Sequence, residues 1–201
     1  MDIVCLDMEG VLVPEIWINV AKATGIDALK ITTRDEPDYD KLMEGRIKIL
    51  DEHNLKLSDI QDVIADMGPM EGALEFLDEL RSLTQVIILS DTFSEFAKPL
   101  MRQLRWPTIW CNSLEVDEQN RIVRHRMRLN DGKCKAVIAL KELNYRTFAA
   151  GDSYNDLSMI RKADAGCLFR APRNILNEHP DLEIAERYED FLSIIKRFLS
   201  I

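Results

Sequence analysis

Positive charge, paired cysteines and long apolar runs are all scarce in this sequence. Twenty-six lysines and arginines face 35 aspartates and glutamates, leaving a formal net charge of −9. A phosphate backbone needs a basic face, so nucleic acid is not expected as the main partner. The four cysteines are scattered with no CxxC pair, and there are only three histidines, so zinc is not expected either. No apolar stretch approaches the roughly 20 residues that span a bilayer, and the chain opens on an acid rather than a basic segment. The expectation is a cytoplasmic protein with free thiols, no membrane partner and no low-complexity tract.

What is present is an ordinary globular composition, 46% hydrophobic and 30% charged, in 201 residues. That length is enough for one full core and a small inserted module. The runs Ile3–Leu6, Gln85–Leu89, Arg146–Ala150 and Ala165–Phe169 read as buried strands. Helical patterns at Glu71–Leu83, Asp91–Leu104, Gly132–Leu143, Tyr154–Ala163 and Tyr188–Leu199 alternate with them. Continuous apolar strands interleaved with helices predict a doubly wound, parallel-sheet α/β core. Between Glu115 and Met127 a polar turn separates two short runs, a hairpin hung from the sheet edge.

One spacing is too long. Asp7 and Ser90 lie 83 residues apart, whereas a βαβ crossover needs roughly 30 or more. The surplus carries helix candidates at Pro14–Thr24, Asp40–His53 and Ser58–Met67, the last opened by a capping-box pattern from Ser58 to Gln61. The expected division is a core of residues 1–13 and 70–201 with a small helical cap, 14–69, inserted after the first strand.

Three strands end on polar clusters: Asp7 and Glu9, Ser90 and Asp91, and Asp152, Asn155 and Asp156. Ligands of open parallel sheets bind beyond the carboxyl ends of the strands, so these groups should converge. Carboxylates crowded in that way repel one another unless a cation joins them, and an all-oxygen donor set selects Mg²⁺. A single Asp after a strand is more often a turn or cap residue; three such sites in one sheet point to chemistry.

These residues carry a resemblance to the haloacid dehalogenase superfamily. Asp7-Met8-Glu9-Gly10-Val11-Leu12 is similar to its first motif, DxDGT[LV], with Glu9 replacing the second Asp. Ser90 resembles the second motif, Lys133 in Asp131-Gly132-Lys133 the third, and Gly151-Asp152-Ser153-Tyr154-Asn155-Asp156 the fourth, GDxxxD. The resemblance implies Asp7 as nucleophile, Glu9 as acid and base, and Mg²⁺ held by Asp7, the Glu9 carbonyl and Asp152. Lys133 and Ser90 would hold the phosphoryl oxygens, and Asp156 would orient its neighbours.

Within that superfamily the closest likeness is to the ThrH-type phosphoserine phosphatases, which also transfer phosphate to homoserine. Glu15 and Arg46 occupy the places where cap residues read the serine ammonium and carboxylate, and Asn155 that of a substrate-contacting asparagine. Ser90-Asp91-Thr92 stands where ordinary phosphoserine phosphatases have Ser-Gly-Gly, which puts Asp91 at the substrate. The expected partners are therefore phosphoserine, with water or homoserine as acceptor; a homodimer stays open. A phosphatase for another small ester is the main alternative. A receiver-type domain fits worse, because receivers place their acidic pair before the acceptor strand. A binding-only pseudoenzyme is disfavoured because every catalytic residue type is present.

Overall fold

The computed structural model describes residues 1–32, 35, 36 and 38–201. In chain order the elements are β1 (Asp2–Leu6), α1 (Ile16–Thr24), α2 (Tyr39–Glu52), α3 (Leu57–Met67), α4 (Ala73–Leu83), β2 (Gln85–Phe93) and α5 (Ser94–Gln103). They continue with β3 (Thr108–Val116), β4 (Ile122–Arg126), α6 (Gly132–Glu142), β5 (Arg146–Gly151), α7 (Leu157–Lys162), β6 (Ala165–Phe169), α8 (Arg173–Glu178), β7 (Glu183–Ala185) and α9 (Tyr188–Leu199). Short 3-10 turns occupy Asp27–Lys30 and Tyr154–Asp156.

Among the described residues one sheet has the strand order β4-β3-β2-β1-β5-β6-β7. It is parallel except for β4, which runs antiparallel to β3 at one edge. Alternation along the strands divides the core in two. Val4, Leu6, Ile88, Phe148 and Ala150 pack with Phe76, Leu77, Phe96 and Phe191 of α4, α5 and α9. Ile3, Cys5, Ile87, Leu89 and Ala149 pack on the opposite face with Ala136, Val137, Leu140, Met159 and Ile160 of α6 and α7. A large side chain buried in this way contributes roughly 2 kcal/mol of transfer free energy. Both faces need apolar residues, which is why the strands read as unbroken runs rather than alternating ones.

Three details depart from the sequence reading. β2 does not stop at Leu89: Leu89 pairs Trp110 and Phe93 pairs Asn112, four positions on β2 against two on β3, so Ser90-Asp91-Thr92 bulges out of a continuing strand. The helix after it accordingly starts at Ser94, not Asp91. Ser58 does not cap α3; the Asp59 carboxylate accepts the Lys56 amide at 2.7 Å, while the Ser58 amide donates to Asn120 Oδ1 at 2.8 Å. That second bond, and the Leu57 amide donating to the Asn120 carbonyl at 2.9 Å, tie α3 to the hairpin turn.

Candidate active site

β1 and β5 carry the centre. The Asp7 amide donates to the Ala150 carbonyl at 2.9 Å, one step beyond the β1–β5 ladder, so Asp7 emerges beside the turn that holds Asp152 and Asp156. Immediately after it the chain folds back, with the Gly10 amide donating to the Val13 carbonyl and the Leu12 and Val13 amides to the Met8 carbonyl. Gly10 makes this turn with φ +75°. A Cβ at Gly10 would lie 2.5 Å from Asp152 Cγ, so only glycine lets that carboxyl approach the turn.

Lys133, at the start of α6, is buried and reaches across to β1 and β5. Its Nζ lies 2.7 Å from Asp156 Oδ1, 2.8 Å from Asp7 Oδ1 and 3.6 Å from Asp91 Oδ2. Burial alone would lower its pKa, but the charges of Asp156, Asp7 and Asp91 outweigh that and hold it well above the ordinary lysine value. The contact to Asp7 is an ion pair, and Lys133 is the one cation within ion-pair distance of Asp7 among the described residues. Burial, then the charge of Asp156, pushes the Asp7 pKa well up, against the pull of Lys133.

Asp156 is fully buried and saturated. Its Oδ1 takes Lys133, and its Oδ2 accepts the Asp152 and Ser153 amides and the Ser153 hydroxyl at 2.9–3.1 Å. Asp152 is raised to about 7 by burial and by the charges of Asp156 and Glu15. Asp7, Asp152 and Asp156 offer oxygens within 4.8 Å of one another. One lysine cannot neutralise three carboxylates, so this all-oxygen set fits a hard divalent cation. Because Asp156 already spends its oxygens on donors, Asp7 and Asp152 are the available ligands.

Glu9 lies at the foot of α1, where its Oε2 accepts the Ile16 amide at 2.8 Å. Burial and the neighbouring Glu15 raise it to about 7, while Ile16, Lys133 and Arg46 pull the other way. Ser90 is buried in the β2 bulge, its hydroxyl accepting the Thr92 amide at 3.2 Å. Asp91 Oδ2 accepts Asn155 Nδ2 at 2.9 Å.

Glu15 and Arg46 come from the helical segment after β1; the charges of both act on Glu9, and that of Glu15 on Asp152 as well. Glu15 precedes α1, and among the described residues no cation pairs with it within 4.0 Å. Arg46 is only 6% exposed on α2. Its guanidinium stacks 4.6 Å from the Trp17 ring centroid, Nη2 donates to the Ile31 carbonyl at 2.6 Å, and Nε is buried with no acceptor among the described residues. Burial lowers its pKa to about 10, opposed by Tyr39, Glu9 and Glu15. Contacts and charge interactions thus link the residues singled out in the sequence, from Asp7, Lys133 and Asp156 through Asp91 and Asn155 to Glu9, Glu15, Arg46 and Asp152, with Ser90 beside Asp91 in the bulge. Two residues that were not singled out adjoin this group at the Asp91 backbone. Tyr39 Oη donates to the Asp91 carbonyl at 3.2 Å, and Asn112 Nδ2 donates to the same oxygen at 3.0 Å. Neither belongs to a motif; the one available signal was a phenol opening a helix in the insertion.

Residues 1–164 match the haloacid dehalogenase-like hydrolase family. Over all of both chains the sequence is 58% identical to phosphoserine phosphatase ThrH of Pseudomonas aeruginosa. A phosphoserine phosphatase of Pseudomonas syringae pv. tomato is 55% identical over 94% of this chain and 80% of its own length. A substrate-bound phosphoserine phosphatase complex superimposes with a TM-score of 0.78 at 21% identity, covering 96% of this chain and 97% of that one. A phospho-aspartyl intermediate analogue of phosphoserine phosphatase gives 0.78 at 21%, over 96% and 98%. At that identity the two structures speak for the fold. With the family matched over most of its length and a relative over all of it, the chain belongs to the haloacid dehalogenase-like hydrolases and, among them, to the phosphoserine phosphatase group.

Proposed function

We propose that this protein is a Mg²⁺-dependent phosphoserine phosphatase that works through a phosphoryl group carried on Asp7 and also passes it to homoserine. The observation that carries the reading is Arg46. It is a buried guanidinium whose charge interacts with Glu15, and among the described residues Arg46 has no carboxylate within ion-pair distance and Glu15 no cation. An unpaired buried cation is costly, and an incoming α-carboxylate would relieve it bidentately. Glu15 would take the ammonium. A phosphorylated amino acid supplies both charges at once; a sugar phosphate supplies neither.

In this reading the carboxylate of Asp7 attacks phosphorus and the bond from phosphorus to the serine oxygen breaks. The proton held by Glu9 passes to that oxygen. Glu9, now ionised, takes a proton from water or from the acceptor hydroxyl, which attacks phosphorus and frees Asp7. Lys133 and the Ser90 hydroxyl hold phosphoryl oxygens, and Asn155 is steadied by Asp91 at the substrate. Asp7, Asp152 and the Glu9 carbonyl would hold Mg²⁺, which when bound offsets charge on the transferring group. The segment 14–69 acts as the cap that excludes water and brings the amino-acid readers. The relative's identity over the full chain supports the same substrate.

The test is an assay with phosphoserine and Mg²⁺, with and without homoserine, following inorganic phosphate and phosphohomoserine together. The reading expects both products. Phosphate alone removes the transfer branch, and no turnover of phosphoserine removes the substrate.

A further inference from the structure

The Asp91 carbonyl accepts two hydrogen bonds from two different elements. Asn112 Nδ2 donates from β3 at 3.0 Å, and Tyr39 Oη donates from α2 at 3.2 Å. Asn112 is itself fixed, since its Oδ1 accepts the Arg128 amide at 2.9 Å. The core side of the arrangement is therefore rigid, and the Tyr39 bond is the one that crosses from the insertion to the β2 bulge.

Tyr39 is the first residue of α2, and Arg46 follows seven residues later on the same helix. Seven residues are about two turns, roughly 10 Å along the axis. A helix is stiff over that distance, so fixing Tyr39 on the bulge fixes how far Arg46 stands from Ser90. The first turn of α2 is gripped a second time by Asp40, whose Oδ1 lies 2.7 Å from His125 Nε2 on β4. The His125 ring also stands edge-on to Tyr39, centroids 6.2 Å apart.

We infer that Tyr39 is a positioning residue that sets the span between the carboxylate-reading Arg46 and the phosphate-holding bulge, and so selects substrate length. The inference rests on the amino-acid reading of Arg46. Its mechanism is separate, because the Tyr39 bond joins two backbone segments whatever the substrate is.

Tyr39→Phe removes one hydroxyl and keeps the ring packed, so the fold should persist. For phosphoserine, kcat/KM should fall about tenfold, the size of one well-placed hydrogen bond. An aryl phosphate, which has no carboxylate to place, should change less than about twofold, and the preference for phosphoserine over phosphohomoserine should shrink. Equal losses on phosphoserine and aryl phosphate, or no loss on either, would overturn the inference. Hydrogen exchange gives a substrate-free measurement: the variant should exchange faster both in the first turn of α2 and in residues 90–93. Faster exchange confined to α2, or none, would also overturn it. Failure of the wild type to turn over phosphoserine while exchange responds at both places would instead count against the substrate reading, and leave the span between helix and bulge supported.

Discussion

Glu9 Oε2 accepts the Ile16 backbone amide at 2.8 Å, so the acid two residues past Asp7 is anchored to the first turn of the first inserted helix. That amide is one of the four a helix leaves unpaired at its start, and a carboxylate is the favoured group there. Aspartate is one methylene shorter, so its carboxylate reaches less far toward Ile16 from the same backbone position. The extra reach of glutamate is spent on joining the acid to α1.

Glu9→Asp should therefore release the foot of α1 as well as shorten the acid. The expected outcome is a fall in the ratio of phosphohomoserine to inorganic phosphate of roughly tenfold, the worth of one charge-assisted hydrogen bond. Product analysis at fixed homoserine measures it. An unchanged ratio would mean that the choice of acceptor is made elsewhere.

The proton on Glu9 gives a pH dependence with a definite sign. Burial and Glu15 raise its pKa to about 7, so the acid form is present below that pH and is lost above it. Phosphoserine needs a proton on its leaving oxygen; an aryl phosphate does not. For phosphoserine kcat/KM should drop about tenfold per unit as pH rises past 7, while the aryl phosphate profile stays flatter. In Glu9→Gln the two profiles should run parallel.

Arg46 separates substrate reading from stability. Arg46→Met keeps most of the volume against Trp17 and removes a buried cation that lacks a carboxylate partner among the described residues. Thermal stability should hold or rise, because burial disfavours the charged guanidinium and methionine keeps the packing against Trp17. Phosphoserine kcat/KM should fall about 100-fold, and aryl phosphate turnover should stay within about threefold. Parallel losses would sink the amino-acid reading.

Gly10 tests the metal arrangement. An alanine there would place Cβ 2.5 Å from Asp152 Cγ at a φ of +75°. The strain is about 1–2 kcal/mol, and the turn or the Asp152 carboxyl must shift to clear the methyl group. Gly10→Ala should need about tenfold more Mg²⁺ for half-maximal activity, and calorimetric Mg²⁺ binding should weaken alike. Unaltered Mg²⁺ dependence would show that Asp152 does not hold the ion.

Much of this fold was legible in the sequence because its strands are buried on both faces. Val4, Leu6, Ile87 to Leu89 and Phe148 to Ala150 form runs that few other structures require. The motif residues were legible because strand ends gather them. The bulge at Ser90-Asp91-Thr92 was not, since a ladder shift depends on the partner strand and leaves no periodicity of its own. The early half of β3 was missed for a related reason: Thr108 to Asn112 mixes polar and apolar residues without a clean alternation. Ser58 had the right composition for a cap, but the helix starts earlier, with Lys56 at the cap position and the Asp59 carboxylate reaching back to its amide. Tyr39 and Asn112 act on a backbone carbonyl, and no side-chain pattern in one sequence points to a carbonyl.

The most direct test of the central claim is acid quenching of the enzyme during phosphoserine turnover, followed by peptide mass spectrometry. One phosphoryl group should be found on the peptide containing Asp7, labile to hydroxylamine, and absent in Asp7→Asn. Steady phosphoserine turnover with no covalent phosphoryl group on that peptide, or undiminished turnover by Asp7→Asn, would contradict it.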